Sequence, residues 1–364
     1  MSRYRMGWGA EITKLEAVSS QAGDGARILS SSLFQEPWWL SAVTGGEYDE
    51  VTVTQGSQVV GRLPFIATRQ GPFRISIMPE FTHLLGPAID TGVGKPQTQL
   101  LRRLSIARNL IDQLPPFAFF MQAFDSSVAG GLALADGLAF QARSFQVRPQ
   151  YTFQMDCHAD LEIIWHGMQT TVRRDIRRAE ERYSVVVLDD PDHFVHFYLQ
   201  NIKKYKKASY IGFNQFPTLF SACTKRMSGE ILCALNSDGG PAAMVFLVWG
   251  HGVMYYLLST RAPDIGDRGS VSLLLWSAIK RANQLKLMFD LDGVYSSGTA
   301  RFLGAFGGKI GVRLIVARAQ PIYRTMQFIK SMLAPNGNYE LVSFDCPTGP
   351  IPSVFSRADN CAVR

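Results

Sequence analysis

From residue 184 to residue 316 the spacing of apolar positions alternates between two periods, and each change of period marks an element. Ser184–Leu188 is a β-branched run and predicts a strand. Pro191 and Asp192 open a helical stretch to about Lys207, and Phe216–Met227 predicts a second helix. Glu230–Leu235 reads as a strand, with a turn at Asp238-Gly239-Gly240. Ala242–Trp249 and Val253–Thr260 are two further strands, joined at Gly250-His251-Gly252. Gly269 precedes a helical run, Val271–Leu285. Leu287–Leu291 is a strand, Thr299–Phe306 a short helix ended by Gly307-Gly308, and Ile310–Val316 a last strand.

The first half repeats this order in outline. Ala10–Leu15 is its first strand and Phe34–Val43 a short helix. Glu50–Thr54, Val59–Ala67 and Phe73–Met78 are strands, and Gln97–Asp112 is a helix. Phe117–Gln122 is a strand, Val128–Asp136 a helix and Leu138–Val147 a strand. The halves join near Pro149–Cys157, ahead of a basic helix over Asp160–Tyr183. The expected organisation is a domain over 1–150, a second over 151–317 that carries the chemistry, and a helix and tail over 318–364. The helix of that last segment, Pro321–Leu333, is expected to pack back on the first domain. The fold class is α/β (α+β), each domain a mixed central sheet flanked by helices.

Composition narrows the classes. A chain of 364 residues with 46% hydrophobic and 18% charged positions is long enough for two cores. No apolar run is long enough to span a bilayer, so no integral membrane span is expected. The first residues carry basic side chains without an apolar stretch behind them, so no signal peptide is expected. Five scattered cysteines without CxxC spacing argue against a disulfide framework or a zinc site, and a cytoplasmic location follows. His193 and His196, three apart on a predicted helix, lack a third ligand. A formal charge of +7 admits a nucleotide, CoA or RNA and selects none of them.

Two groups of side chains stand out. Arg174 and Arg177 share one face of the basic helix, and guanidinium groups suit phosphate or carboxylate. Asp290 and Asp292 share one face near the end of a strand, where a carboxylate can take a proton from an amine. The plainer alternatives are a solvated helix face for the arginines, and a helix cap or an arginine partner for the aspartates.

Three stretches carry a resemblance. Phe34-Gln35-Glu36-Pro37-Trp38-Trp39, Arg173-Arg174-Asp175-Ile176-Arg177-Arg178-Ala179-Glu180, and Phe289-Asp290-Leu291-Asp292-Gly293 followed by Arg301-Phe302 and Ala305-Phe306-Gly307-Gly308 resemble motifs of the FemABX-type transferases, which are built from tandem GNAT-like domains. The resemblance implies transfer of an acyl group from acyl-CoA, or from aminoacyl-tRNA, to a small-molecule or peptide amine. No metal, permanently bound cofactor or DNA partner is implied, and tRNA is a partner only in the second case. It places the donor at Arg268, Gly269 and Ser270, with backbone from Leu258 and Ser259. It places the acceptor or an anion at Arg174, Arg177, Tyr256 and Phe302, and catalysis at Asp292 and Asp290. Leu303 stands where tRNA-dependent members carry a lysine, and Val271 replaces a small residue of the CoA-binding turn. A tandem GNAT-like module without catalysis is the alternative from another class.

Overall fold

The structure, a computed structural model, describes residues 29–125, 131–204, 212–263, 269–294 and 296–333. The expected strand at Ala10–Leu15 and the tail after residue 333 lie outside the described residues. A 3-10 turn at Leu33–Gln35 leads into α1 (Pro37–Thr44), β1 (Asp49–Gln55), β2 (Gln58–Phe65), β3 (Thr68–Gln70), β4 (Phe73–Ser76), β5 (Ala88–Ile89), α2 (Pro96–Asp112), β6 (Phe119–Asp125), α3 (Leu134–Gln141) and β7 (Gln146–Asp156). Then come α4 (Leu161–Gly167), α5 (Thr170–Glu180), β8 (Ser184–Leu188), α6 (Pro191–Lys204), α7 (Phe216–Lys225), β9 (Gly229–Leu235), β10 (Pro241–Gly250) and β11 (Val253–Arg261). The chain continues as α8 (Gly269–Gln284), β12 (Met288–Gly293), α9 (Ser297–Gly304), β13 (Lys309–Ala319) and α10 (Pro321–Leu333). No described helix is long and apolar enough to cross a membrane.

The architecture is a mixed central sheet flanked by helices. β1, β2 and β5 form a three-stranded sheet, and the rest join a ten-stranded sheet in the order β3-β4-β6-β13-β7-β12-β11-β10-β9-β8. The two halves do not keep separate ladders. Each ends in strand, helix, strand: β6-α3-β7 in the first and β12-α9-β13 in the second. The last strands exchange places. β13 lies between β6 and β7, β7 lies between β13 and β12, and both strands run antiparallel to their neighbours. Residue 150 therefore falls inside a central strand.

Alternation along the strands divides the core. On β10, Ala243, Val245 and Leu247 face a cluster with α5 and α8, whereas Met244, Phe246 and Val248 face one with α1, α6 and α7. On β6, Phe120 and Phe124 face α2 and α3, and Phe119, Met121 and Ala123 face the side that α10 covers. Tyr323 anchors α10 by stacking on Phe119 at 5.6 Å between centroids and bonding through its hydroxyl to Gln70.

Three expectations need correction. The helix expected at Val128–Asp136 is Leu134–Gln141, with 126–130 outside the described residues. Ala135 and Ala139 are buried while Leu134 and Leu138 are exposed, a spacing of four that a strand from Leu138 would break. The stretch near Pro149–Cys157, expected as the join of the halves, is mostly strand: Pro149 lies within β7, beyond the stretch that β12 pairs, an edge-like position where proline is tolerated. The helix expected over Asp160–Tyr183 is two, because the chain turns extended at Met168 and the Gln169 N–H donates to the Ala305 carbonyl.

That junction explains Gly307-Gly308. Gly307 has φ +92°, and a Cβ there would lie 2.7 Å from the Gly167 carbonyl oxygen. A Cβ on Gly308 would lie 3.0 Å from the Gln154 carbonyl oxygen. The pair lets the α9–β13 turn dock against backbone on two sides. Gly307→Ala is expected to cost about 1–3 kcal/mol through the left-handed φ and the close approach. Urea denaturation checks this, and a wild-type midpoint would remove the docking argument.

Candidate active site

Strand exchange sets the site. β6, β13, β7 and β12 are consecutive neighbours, so Asp125, Arg313, Thr152 with Gln154, and Asp290 with Asp292 meet across one sheet. Asp125 is the last residue of β6 and faces Arg313 in register. β11 pairs β12 only from Val253–Met288 to Tyr255–Asp290, although β11 runs on to Arg261. The two strands part beyond Asp290. On the other side of β11 the register with β10 slips at Leu257, an extra residue between Tyr256 and Leu258.

Arg313 is the buried cation. Its side chain is 2% exposed; Nη2 donates to Asp290 Oδ1 at 2.8 Å and Nη1 to Asp292 Oδ1 at 3.2 Å. Asp290 also accepts from Gln154 Nε2 at 3.2 Å and from the Asp292 N–H at 2.9 Å. The Thr152 hydroxyl lies 2.7 Å from Asp290 Oδ1 and 2.6 Å from the Asp292 carbonyl oxygen. Having one proton, it donates to one of them at a time. Burial alone would raise the Asp290 carboxyl. Arg313, Thr152, Gln154 and the Asp292 N–H outweigh it and hold the group below its ordinary range.

Asp292 is the opposite case. Its φ is +77°, a left-handed backbone that non-glycine residues adopt at a cost. This turn aims its N–H at Asp290 and its carboxylate at His83, with Nδ1 of His83 3.3 Å from Oδ1. Burial pushes the Asp292 carboxyl up to about 6; Arg313 and the Gly293 N–H oppose this, and Asp290 adds to it. His83 is buried, stacked 5.6 Å from Phe34, and pushed down to about 3 by burial and by Arg313. Asp290 and the Leu257 backbone act on it the other way. Near neutral pH the site therefore holds a neutral imidazole, one guanidinium and two carboxylates, the second of them close to its titration point.

The sequence-predicted residues divide. Asp290 and Asp292 meet, and neither caps α9, whose N-cap is Ser296 accepting from the Thr299 N–H. Gly269 and Ser270 open α8 and are buried, and Ser270 Oγ has no hydrogen-bond partner among the described residues. Arg268 lies outside the described residues. Leu258 turns its side chain into the core and Phe302 packs edge-on to Phe306, so neither presents a side chain to the aspartates. Ser259 is half-buried on β11 and Tyr256 packs against the α5–α8 cluster. Arg174 pairs with Asp175, and Arg177 lies over the Trp165 ring at 5.5 Å. Neither arginine is in hydrogen-bonding contact with the cluster. Cys157 and Cys223 are pushed up to about 12 and Cys233 to about 11 by burial, which keeps these thiols protonated.

Sequence reasoning missed His83, Arg313, Thr152 and Gln154. Arg313 left a signal, a lone arginine in the apolar run Ile310–Val316. His83 left none, being a loop residue of the opposite half.

A model of the acetyltransferase (GNAT) domain matches residues 167–300. Among solved structures, FemX superposes with a TM-score of 0.60 at 11% identity, covering 81% of this chain and 94% of that one. The C-terminal domain of a candidate lysylphosphatidylglycerol synthetase from Agrobacterium fabrum superposes with a TM-score of 0.52 at 13% identity, covering 84% and 95%. At such identities the likeness is one of fold. No curated protein sequence matches the chain.

Replacing Arg313 tests the cluster. Arg313→Met leaves Asp290 buried without its cation, and breaking a buried pair costs about 3–5 kcal/mol. In wild type Asp290 stays ionised well into acid, whereas in the variant burial without Arg313 raises its carboxyl, which takes up a proton in the folded state as pH falls and so recovers stability. The gap between wild type and Arg313→Met in urea denaturation is therefore expected to narrow from pH 7 towards pH 4. A gap independent of pH would contradict the assignment.

Proposed function

We propose that this chain, which has the FemABX-like GNAT-superfamily fold, transfers an acyl group from an acyl-CoA thioester to a small-molecule or peptide amine. The observation that carries the reading is Asp292: a carboxyl pushed up to about 6, where β11 and β12 part and beside a neutral histidine. A base is most effective when its pKa lies near the working pH.

The amine nitrogen bonds to the thioester carbonyl carbon while its surplus proton passes to Asp292. The oxyanion accepts from backbone N–H groups of β11 beyond Tyr255, on the side that β12 leaves open. Collapse breaks the C–S bond, the leaving thiolate takes a proton from solvent, and Asp292 returns its proton to solvent for the next turnover. His83, whose Nδ1 lies 3.3 Å from Asp292 Oδ1, sets a neutral ring against the carboxylate and shields it from solvent. Arg313 keeps Asp290 ionised, and that charge disfavours ionised Asp292 and so strengthens it as a base. The N-terminus of α8 with Ser270 suits a donor phosphate. The second half supplies most of this machinery and the first supplies His83.

A thioester donor fits Leu303, which is 3% exposed in the core and offers no cation there. The exposed arginines of α5 support a second reading, an aminoacyl ester on tRNA as donor. Supplying the purified chain with acyl-CoA or with aminoacyl-tRNA and mixed amines decides between them. Transfer from neither would favour a binding module.

Asp292→Asn is expected to lower kcat by about 10²–10⁴-fold with the fold intact. Because the carboxyl pKa is raised, the base is ionised above about pH 6 and protonated below it. Wild-type kcat/KM should fall as pH drops through that value, and this limb should vanish in Asp292→Asn. Full turnover by the variant would remove Asp292 from the mechanism.

A further inference from the structure

The motif Phe34-Gln35-Glu36-Pro37-Trp38-Trp39 supplies no group to the acid–base cluster, yet three of its side chains converge on the loop that carries His83. That loop, 77–87, joins β4 to β5. Gln35 is 2% exposed. Its Nε2 donates to the carbonyl oxygens of Leu85 and Gly86 at 3.2 and 2.8 Å, and its Oε1 accepts from the Ser31 N–H at 2.7 Å. Trp39 Nε1 donates to Thr82 Oγ1 at 3.1 Å, and the Thr82 hydroxyl passes its own proton to the Glu80 carbonyl at 3.2 Å. Phe34 stacks on the His83 ring and packs edge-on to Trp39, 5.0 Å between centroids. The loop is thus held before His83, at it and after it, each time by a residue of one motif.

Two features show why such holding is needed. Phe81 has φ +58°, a left-handed backbone that is costly for a bulky residue. Its buried ring lies 5.9 and 5.6 Å from Phe213 and Phe216, on the α7 side of the second half. Gly86 has φ +83°, and a Cβ there would lie 2.7 Å from Phe124 Cβ. A backbone bent in this way leaves carbonyls turned inward without a ladder partner, and buried carbonyls require donors. Gln35 supplies them, while Gln122 Oε1 accepts from the Gly86 N–H at 3.1 Å. Strain of this kind persists only where the surroundings over-determine it.

We propose that Phe34, Gln35 and Trp39 are positioning residues, which clamp the loop so that the His83 ring stands against the Asp292 carboxylate and keeps water from it. None of the three bonds to either aspartate; they act through His83, whose Nδ1 lies 3.3 Å from Asp292 Oδ1. A motif of the first half thereby sets the surroundings of a carboxyl in the second. The groups that act on that carboxyl are Arg313 on β13, Asp290 on β12 and His83 on the loop. Of these only His83 depends on the motif. If the loop is released, water reaches Asp292, and the carboxyl that burial had raised falls towards its ordinary range. The proposal rests on the acyl-transfer reading for its effect on rate, and not for its effect on Asp292 itself.

The test follows the Asp292 carboxyl in the full chain by NMR titration without substrate, and in parallel the acid limb of kcat/KM with acyl-CoA and an amine. Gln35→Met keeps the length of the side chain and removes both donated bonds. Because it strands two buried carbonyls and so risks the fold, Thr82→Val carries the argument: it matches the shape of threonine and offers Trp39 no oxygen. Thr82→Ser keeps that oxygen and is the control. The Asp292 titration is expected to stay near its wild-type value in Thr82→Ser and to fall by about one pH unit in Thr82→Val, a tenfold loss of proton affinity. The acid limb of kcat/KM should move with it. A titration unmoved in Thr82→Val, or moved equally in Thr82→Ser, would overturn the proposal. Without turnover from any donor the acyl-transfer reading falls, and the substrate-free titration alone decides the positioning. Turnover that Asp292→Asn abolishes, with titration and limb unmoved in Thr82→Val, removes the positioning and leaves the reaction standing.

Discussion

A buried guanidinium organises the centre of this protein. Arg313 is on β13, a strand of the second half inserted beside β6 of the first, and it faces carboxylates on β12 two strands away. A charge so deeply buried is tolerable only when paired and hydrogen-bonded. The pairing requires β13 and β12 to hold their places on either side of β7. Fold and site therefore constrain each other: the exchange of last strands brings the cation to the carboxylates, and the ion pairs fix the register of the exchanged strands.

Asp290 and Asp292 are two residues apart and differ in chemistry because of backbone shape. Asp290 lies in regular strand and collects donors from two other strands, β7 and β13, and from its own. Asp292 turns left-handed, leaves the ladder and exchanges donors for burial and a neutral imidazole. Two carboxyls whose surroundings push their titration apart make a division of labour, one a fixed counter-charge and one a group that exchanges protons. The strained φ at Asp292 is held by the ladder before it and by Gly293, which pairs with Thr152.

Much of the second half was legible because its strands alternate cleanly and its turns carry glycine. Gly250-His251-Gly252 closes the β10–β11 hairpin with positive φ at His251 and Gly252, as the sequence suggests. In the first half alternation misled at Leu138–Val147, where alanines at a spacing of four mark the buried face of a helix. Asp290 and Asp292 could be picked out because carboxylates on a strand with core-facing Phe289 and Leu291 are conspicuous. Their partners could not, since the pairing of β13 with both β6 and β7 is a long-range fact that no local pattern encodes.

The exchanged strands also bear on how the chain is made. β13 is the last strand of the described chain, yet it pairs with β6, which leaves the ribosome far earlier. Until β13 arrives, β6 offers an open backbone edge, and β7 waits with neither of its final neighbours. Such edges invite pairing with other chains. The first half thus has no finished sheet of its own during translation, and the gap beside β6 closes only when the last described strand arrives.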